Sequence, residues 1–169
     1  MYVLKRIKPD QDCDQLYELI RIHGGFSVLP QQPIFINKED FRHWILGQLS
    51  GYYHDFFMIK DTSRTESSNI CGWLLAYDYR IYDGHCKFYG YLCQGLNKMI
   101  TSQFLNILFK EYPLKKVFLQ ITNADTSLLS VAYELGFKQE AILYEYKYSW
   151  GNYKDLLILS VYPKNLLER

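Results

Sequence analysis

The stretch ITNADTSLLSVAYELGFKQEAILYEYKYSWGNYKDLLILSVYP, residues 121–163, decides how the chain is read. Its first residues complete KKVFLQIT (115–122), a short apolar run with the character of a buried strand. ADTSLLSVAYEL then predicts a helix, which Gly136 closes. FKQEAILYEYKYSW predicts a long strand, Gly151–Asn152 a turn, and YKDLLILSVYP a last strand.

Working outward, HCKFYGYL (85–92) predicts a strand that follows the Asp83–Gly84 turn and pairs antiparallel with ICGWLLAYDYRIY. Gly95 comes next, then a helix to about Tyr112, with Pro113 marking its end. At the N-terminus YVLKRIK (2–8) predicts a strand stopped by Pro9 and Asp10. The helix DQDCDQLYELIRIH follows, with Leu16, Leu19 and Ile20 at helical spacing and Gly24–Gly25 as its end. A loop carrying Pro30 and Pro33 leads to the helix NKEDFRHWILGQL, which Asn37 is placed to cap ahead of Glu39 and Asp40. HDFFMIK (54–60) predicts a strand and 61–69 a polar loop. The order β-α-α-β-β-β-α-β-α-β-β predicts a mixed α/β (α+β) domain with an antiparallel N-terminal meander and one parallel, right-handed crossover from 85–92 to 115–122.

The 169 residues fit one domain, 1–169, with enough length for a hydrophobic core. Hydrophobic residues make up 49% and charged residues 22%, the balance of an ordinary globular chain. Sixteen Tyr and ten Phe suit strands, an aromatic core or an aromatic-lined cleft. The net charge of +1 gives no basic stripe, and Lys5, Arg6 and Lys8 read as a solvated face, so no nucleic-acid partner is expected. Cys13, Cys71, Cys86 and Cys93 have no C-x-x-C spacing, which argues against a zinc site, a redox motif and a disulfide framework. MYVLKRIKPDQ has no apolar signal segment and no run is long enough to span a bilayer, so no membrane partner and a cytoplasmic location are expected.

YGYLCQGLNKMITSQF (89–104) poses the functional question. A strand ending just before a helix N-terminus presents unpaired N–H groups and the positive end of the helix dipole, a ready anion site. Gly95 lets a ligand approach the backbone, and Asn97 and Lys98 fall in the first turn. The bland alternative is that Gly95 only turns a corner.

Residues 121–163 also carry a resemblance. The sequence strand, N-x-D, helix, E-L-G-F-K-x-E, strand, G-x-Y-x-D, strand resembles the GNAT superfamily of N-acetyltransferases, in particular its ribosomal-protein and spermidine acetyltransferases. The matching residues are Glu134, Leu135, Gly136, Phe137, Glu140, Gly151, Tyr153 and Asp155. The resemblance implies a mostly antiparallel central sheet of about seven strands flanked by four helices, with strands 85–92 and 115–122 splayed apart. It implies acetyl-CoA or another acyl-CoA as co-substrate. The pantetheine would lie in the V, paired with the backbone of Tyr91 and Leu92 like an added strand. The pyrophosphate would rest on N–H groups around Gly95, Leu96, Asn97 and Lys98. The family's Q/R-x-x-G-x-G/A loop fits in two registers. Gln94 keeps the motif's Gln if Asn97 and Met99 replace its small residues, which is the register we prefer. Alternatively Gly95 is the first motif glycine and Leu92 replaces the Gln.

The resemblance also implies an acid for the leaving thiolate, a Tyr four residues before the Gly of the G-F pair. Ala132 stands there and Tyr133 one residue along, about 100° around the helix, so that it is expected to face the core. Tyr133 is the sequence's candidate acid. The family's Asn after the fifth strand has its residue type in Asn123 and its position in Asp125; each either contacts the cofactor or caps the following helix. A protonated amine of pKa ~10 must lose a proton before attack, and His85 is the titratable candidate base, with plain exposure beside its turn as the alternative. His85, Lys87, Tyr89 and Tyr91 share one strand face. Glu140 and Asp155 are expected to hold the last strands, and Tyr144, Tyr146 and Tyr148 to line either an acceptor wall or a packed face. The activity implied is acyl transfer to an amine of a small molecule, amino sugar or peptide, and a homodimer formed by sheet extension fits an exposed last strand. The alternative is a GNAT-fold binding protein without catalysis.

Overall fold

The computed structural model describes residues 1–23, 37–50, 55–63, 69–93, 95, 97–123, 125–149 and 151–167. The strands are β1 (Tyr2–Arg6), β2 (Asp55–Asp61), β3 (Ile70–Arg80), β4 (His85–Leu92), β5 (Lys116–Thr122), β6 (Lys138–Ser149) and β7 (Asn152–Val161). The helices are α1 (Pro9–His23), α2 (Lys38–Ser50), α3 (Lys98–Glu111), α4 (Thr126–Glu134) and the short α5 (Pro163–Leu167). Each boundary has a local cause. Asn37 Oδ1 accepts from the N–H groups of Glu39 and Asp40 at 2.9 Å and caps α2, as its sequence predicts. Gly136 closes α4 at φ +86°, with the Phe137 N–H donating back to the Ala132 carbonyl. The helix α5 was not expected; Pro163 at its first position, where a missing N–H costs nothing, is the signal for it.

The strands form one sheet in the order β1-β2-β3-β4-β5-β7-β6. Only β4 and β5 run parallel, joined by the α3 crossover; the other neighbours are antiparallel. This is the GNAT arrangement that the element order implied, with a fifth helix added. The β3 strand stops at Arg80, before a turn over 81–84, and register slips at Asp78, whose φ is +49°. This bulge turns Tyr79 onto the α3 side of the sheet, where its hydroxyl donates to buried Asp55.

Two aromatic layers show which side chains face where. Phe57 and Phe88 pack against Phe104 of α3, and Phe88 also meets Phe137 behind α4. On the other face Phe56 and Tyr89 flank Trp73, each with ring centroids under 6 Å apart at 5.8 and 5.6 Å. The aromatic richness of the chain is therefore mainly core. The β6–β7 hairpin is the exception: Tyr144, Tyr146, Tyr148 and Tyr153 are all exposed, so the β6 tyrosines form no packed face. No described helix is long and apolar enough to cross a membrane.

Candidate acyl-transfer site

The parallel strands part company. Cα pairing between β4 and β5 runs from His85↔Lys116 to Phe88↔Leu119 and stops. Beyond that point β4 remains paired with β3 through Leu92↔Gly72, and β5 remains paired with β7 through Thr122↔Leu156. Residues 89–92 thus run on past the last pairing with β5 while still paired with β3. A strand edge that parts from its neighbour is a template for a ligand with amide groups.

The edge leads directly into a helix N-terminus. Gly95 turns the chain at φ +84° and donates its N–H to the Leu92 carbonyl at 2.9 Å. A Cβ at Gly95 would meet nothing nearer than Ser127 at 3.9 Å, so its glycine is required by the backbone angle and not by crowding. Asn97 caps α3, its side chain accepting from the Met99 N–H at 2.8 Å. The remaining first-turn N–H groups have no intrahelical acceptor, and α3 has no acid in its first turn to compete for the positive dipole end. Exposed Lys98 stands at the same end. From there a groove of about 680 Å³ runs between α3, α4 and α5, lined by Asn97, Lys98, Ser102, Val131, Glu134 and Asn165 among others.

Of the residues singled out in the sequence, Tyr91, Leu92, Gly95, Asn97 and Lys98 are brought to this mouth. Gln94 and Leu96, and with them the choice between the two motif registers, lie outside the described residues. Asn123 follows β5 and donates its backbone N–H to the Asp155 carbonyl at 3.2 Å. Tyr91 is half-buried at the fork, and burial together with its hydrogen bond to Cys93 pushes its phenol up. His85 sits at the other, closed end of the β4–β5 pair, with its ring edge-on to Phe118 at 5.3 Å. It is three residues, or about 10 Å, short of the point where the strands part. Tyr133 does not face the core: it is 46% exposed, while Ala132, where the family's Tyr would stand, is 1% exposed.

Asp125 holds the N-cap position of α4 but caps nothing. Among the described residues its carboxylate accepts one hydrogen bond, from Thr122 Oγ1 at 3.3 Å. Burial pushes this carboxyl up, only partly offset by Thr122 and by the charge of Lys147. Asp155 is structural in the way its motif position implied: its carboxylate accepts from the Glu145 N–H at 3.0 Å, fixing a β6 bulge where Glu145 has φ +50°. Glu140 ties three strands, accepting from Lys116 at 3.0 Å and from Ser160 at 2.5 Å. Lys147 and Lys154 were missed in the sequence. β6 ends at Ser149 and β7 begins at Asn152, so Asn152 lies in the strand and not in the expected turn, and this register sets Lys147 opposite Lys154.

No family model matches the chain. No curated protein matches it either. Solved structures do match in shape. The crystal structure of spermidine N-acetyltransferase from Vibrio cholerae in complex with CoA and spermine superposes with a TM-score of 0.83 at 16% identity, over 98% of this chain and 98% of that one. Mutant forms of the spermidine/spermine N-acetyltransferase SpeG from the same organism give 0.81 at 16% identity, over 100% of this chain and 99% of that one. A dodecameric structure of the Vibrio cholerae enzyme in an intermediate state gives 0.81 at 14% identity, over 99% and 97%. The fold of this chain is thus that of the GNAT N-acetyltransferases over its whole length.

Proposed function

We propose that the chain is one GNAT-type domain, an acyl-CoA-dependent N-acyltransferase acting on an amine of a small molecule, amino sugar or peptide. The observation that carries this reading is the parting of β4 from β5 after Phe88↔Leu119, just ahead of the capped N-terminus of α3. The similarity in shape to an acetyltransferase solved with CoA supports it. On this reading an acyl-CoA supplies the activated acyl group. The backbone edge of residues 89–92 takes the amide groups of the pantetheine, and the first turn of α3 with Lys98 takes the diphosphate. The groove between α3 and α4 receives the nucleotide end. The acceptor reaches the fork from the opposite face of the sheet.

The chemistry asked of the protein is modest. The amine nitrogen bonds to the thioester carbon, the C–S bond breaks, and one amine proton ends on the coenzyme A sulfur. Backbone N–H groups of residues 89–92 polarise the carbonyl, and the closed core excludes water. On this reading transfer rests on positioning and on the amine that is already neutral.

Amide hydrogen exchange tests the assignment locally. Acetyl-CoA is expected to protect residues 89–92 and 98–100; protection elsewhere, or none, contradicts it. One observation favours a second reading, a binding protein without catalysis: the buried Ala132 offers no hydroxyl where a Tyr would protonate the thiolate. Acetyl-CoA binding with no thiol release against any amine selects that reading.

A further inference from the structure

The face of the sheet opposite α3 and α4 has an unusual distribution of charge. Lys87 pairs with Asp78 at 2.8 Å and Lys116 with Glu140 at 3.0 Å at the closed end of the fork. At the open end the pattern reverses. Lys147 of β6 and Lys154 of β7 are direct cross-strand partners, and neither has a carboxylate within 4.0 Å among the described residues. Like charges directly opposite in an antiparallel pair destabilise it. The register Thr122↔Leu156 and Lys147↔Lys154 puts Thr122, Leu156 and both lysines on one face, the face that Tyr89 also occupies.

Asp125 sits among them at the end of β5. Burial, and to a lesser degree the charge of Asp125, raises the Tyr89 phenol, and the same charge partly offsets the burial that lowers the Lys147 ammonium. Three features there cost stability without a structural return: an N-cap carboxylate that caps nothing, a partly desolvated lysine, and a second lysine set against it. A polycationic acceptor is poorly served by two unneutralised ammonium groups and one carboxylate.

We propose that the acceptor is an amine that also bears an anionic group, carboxylate or phosphate, with Lys147 and Lys154 holding the anion and Asp125 the ammonium. This inference rests on the acyltransferase reading and narrows its substrate class. It separates the chain from the polyamine-acetylating enzymes it resembles in shape.

Matched pairs of acceptors isolate the anion: glycylglycine against glycylglycine amide, and glucosamine 6-phosphate against glucosamine, with spermidine as the polycation. The lysine side-chain resonances of the full chain, assigned through Lys147→Gln and Lys154→Gln, are followed by NMR as each compound is added with CoA present. The expected result is a shift of both lysines with at least one anionic member, about tenfold tighter than with its neutral partner. The pair shifted more strongly tells carboxylate from phosphate. In the double variant the anionic-to-neutral ratio of transfer rates falls toward one. No shift with either anionic compound, an equal shift with the neutral partner, or a preference for spermidine overturns the inference. Failure of the acyltransferase reading shows separately, as no acetyl-CoA binding and no thiol release, while the lysine shifts still report whether an anion is held.

Discussion

The two ends of the β4–β5 pair are built on opposite electrostatic terms. Near the hydrogen-bonded end, Asp55 anchors a charged network. Buried Asp55 accepts from Tyr79 at 2.8 Å and from Tyr112 at 2.5 Å, and pairs with Arg6 at 3.0 Å, which in turn meets Glu111 at 2.6 Å. That network ties β1, β2, β3 and the end of α3 together. Where the strands part, residues 89–92 run past the last β5 pairing, Asp125 caps nothing, and Lys147 faces Lys154. Asp55 and the groups around it are satisfied within the protein, whereas the open end sets Lys147 against Lys154 and leaves Asp125 without a capping role. Sites of binding and catalysis are where local consistency is given up, and the stability lost there is recovered in the core.

Substitutions at the two ends should therefore differ in size and in sign. The largest effect is expected for Asp55→Ala. Removing the carboxylate leaves the buried Tyr79 hydroxyl without its acceptor and takes one of two carboxylate partners from half-exposed Arg6, and should cost about 1–3 kcal/mol in denaturant unfolding. A loss under about 1 kcal/mol would show that the closed end is not the anchor described. Asn97→Ala removes the α3 cap and should cost about 1 kcal/mol of stability. It should weaken acetyl-CoA at the same time, because the first turn that holds the diphosphate frays; calorimetry and unfolding on one preparation read both.

At the open end stability should rise. Lys154→Glu converts a like-charge cross-strand pair into an attractive one and should gain about 0.2–1 kcal/mol, with the gain shrinking in high salt. A destabilised variant would mean that the two lysines do not repel in the fold. Asp125→Asn sharpens the contrast through pH. Burial raises the Asp125 carboxyl in the folded state, so its ionised form opposes folding. That cost is absent below the unfolded carboxylate range and is complete above the raised folded value. Asp125→Asn should therefore melt above the parent at pH 7 and together with it near pH 3. A variant less stable than the parent at pH 7 would make Asp125 a structural cap after all.

The sequence showed the elements far better than it showed the site. Hydrophobic periodicity, Asn37 as a cap and Gly136 and Gly151 as stops located every long helix and strand, because each is a local signal. The splay followed from the family resemblance, and no local pattern marks where pairing ends after Phe88. Side-chain roles were the least legible. Whether His85 reaches the fork depends on how far along β4 the strands separate, and whether Asp125 caps α4 depends on how the β5–α4 loop places it. The Lys147–Lys154 pair depends on the turn: counted from Gly151–Asn152, Lys147 falls opposite Leu156, and only with Asn152 inside β7 does it meet Lys154. It was overlooked because a lysine in a strand ordinarily reads as solvated.

The central claim is that the residues 89–98 hold an acyl-CoA. Calorimetric titration of the protein with acetyl-CoA, beside a Gly95→Trp variant shown by circular dichroism to remain folded, tests it most directly. Gly95 has φ +84°, which a tryptophan disfavours, and its side chain would stand in the space a diphosphate needs. The account predicts saturable one-site binding to the parent and its loss in the variant. No binding to the parent by acetyl-CoA, free CoA or longer acyl-CoAs would contradict it, and would make Gly95 a structural corner in a fold that has left acyl transfer behind.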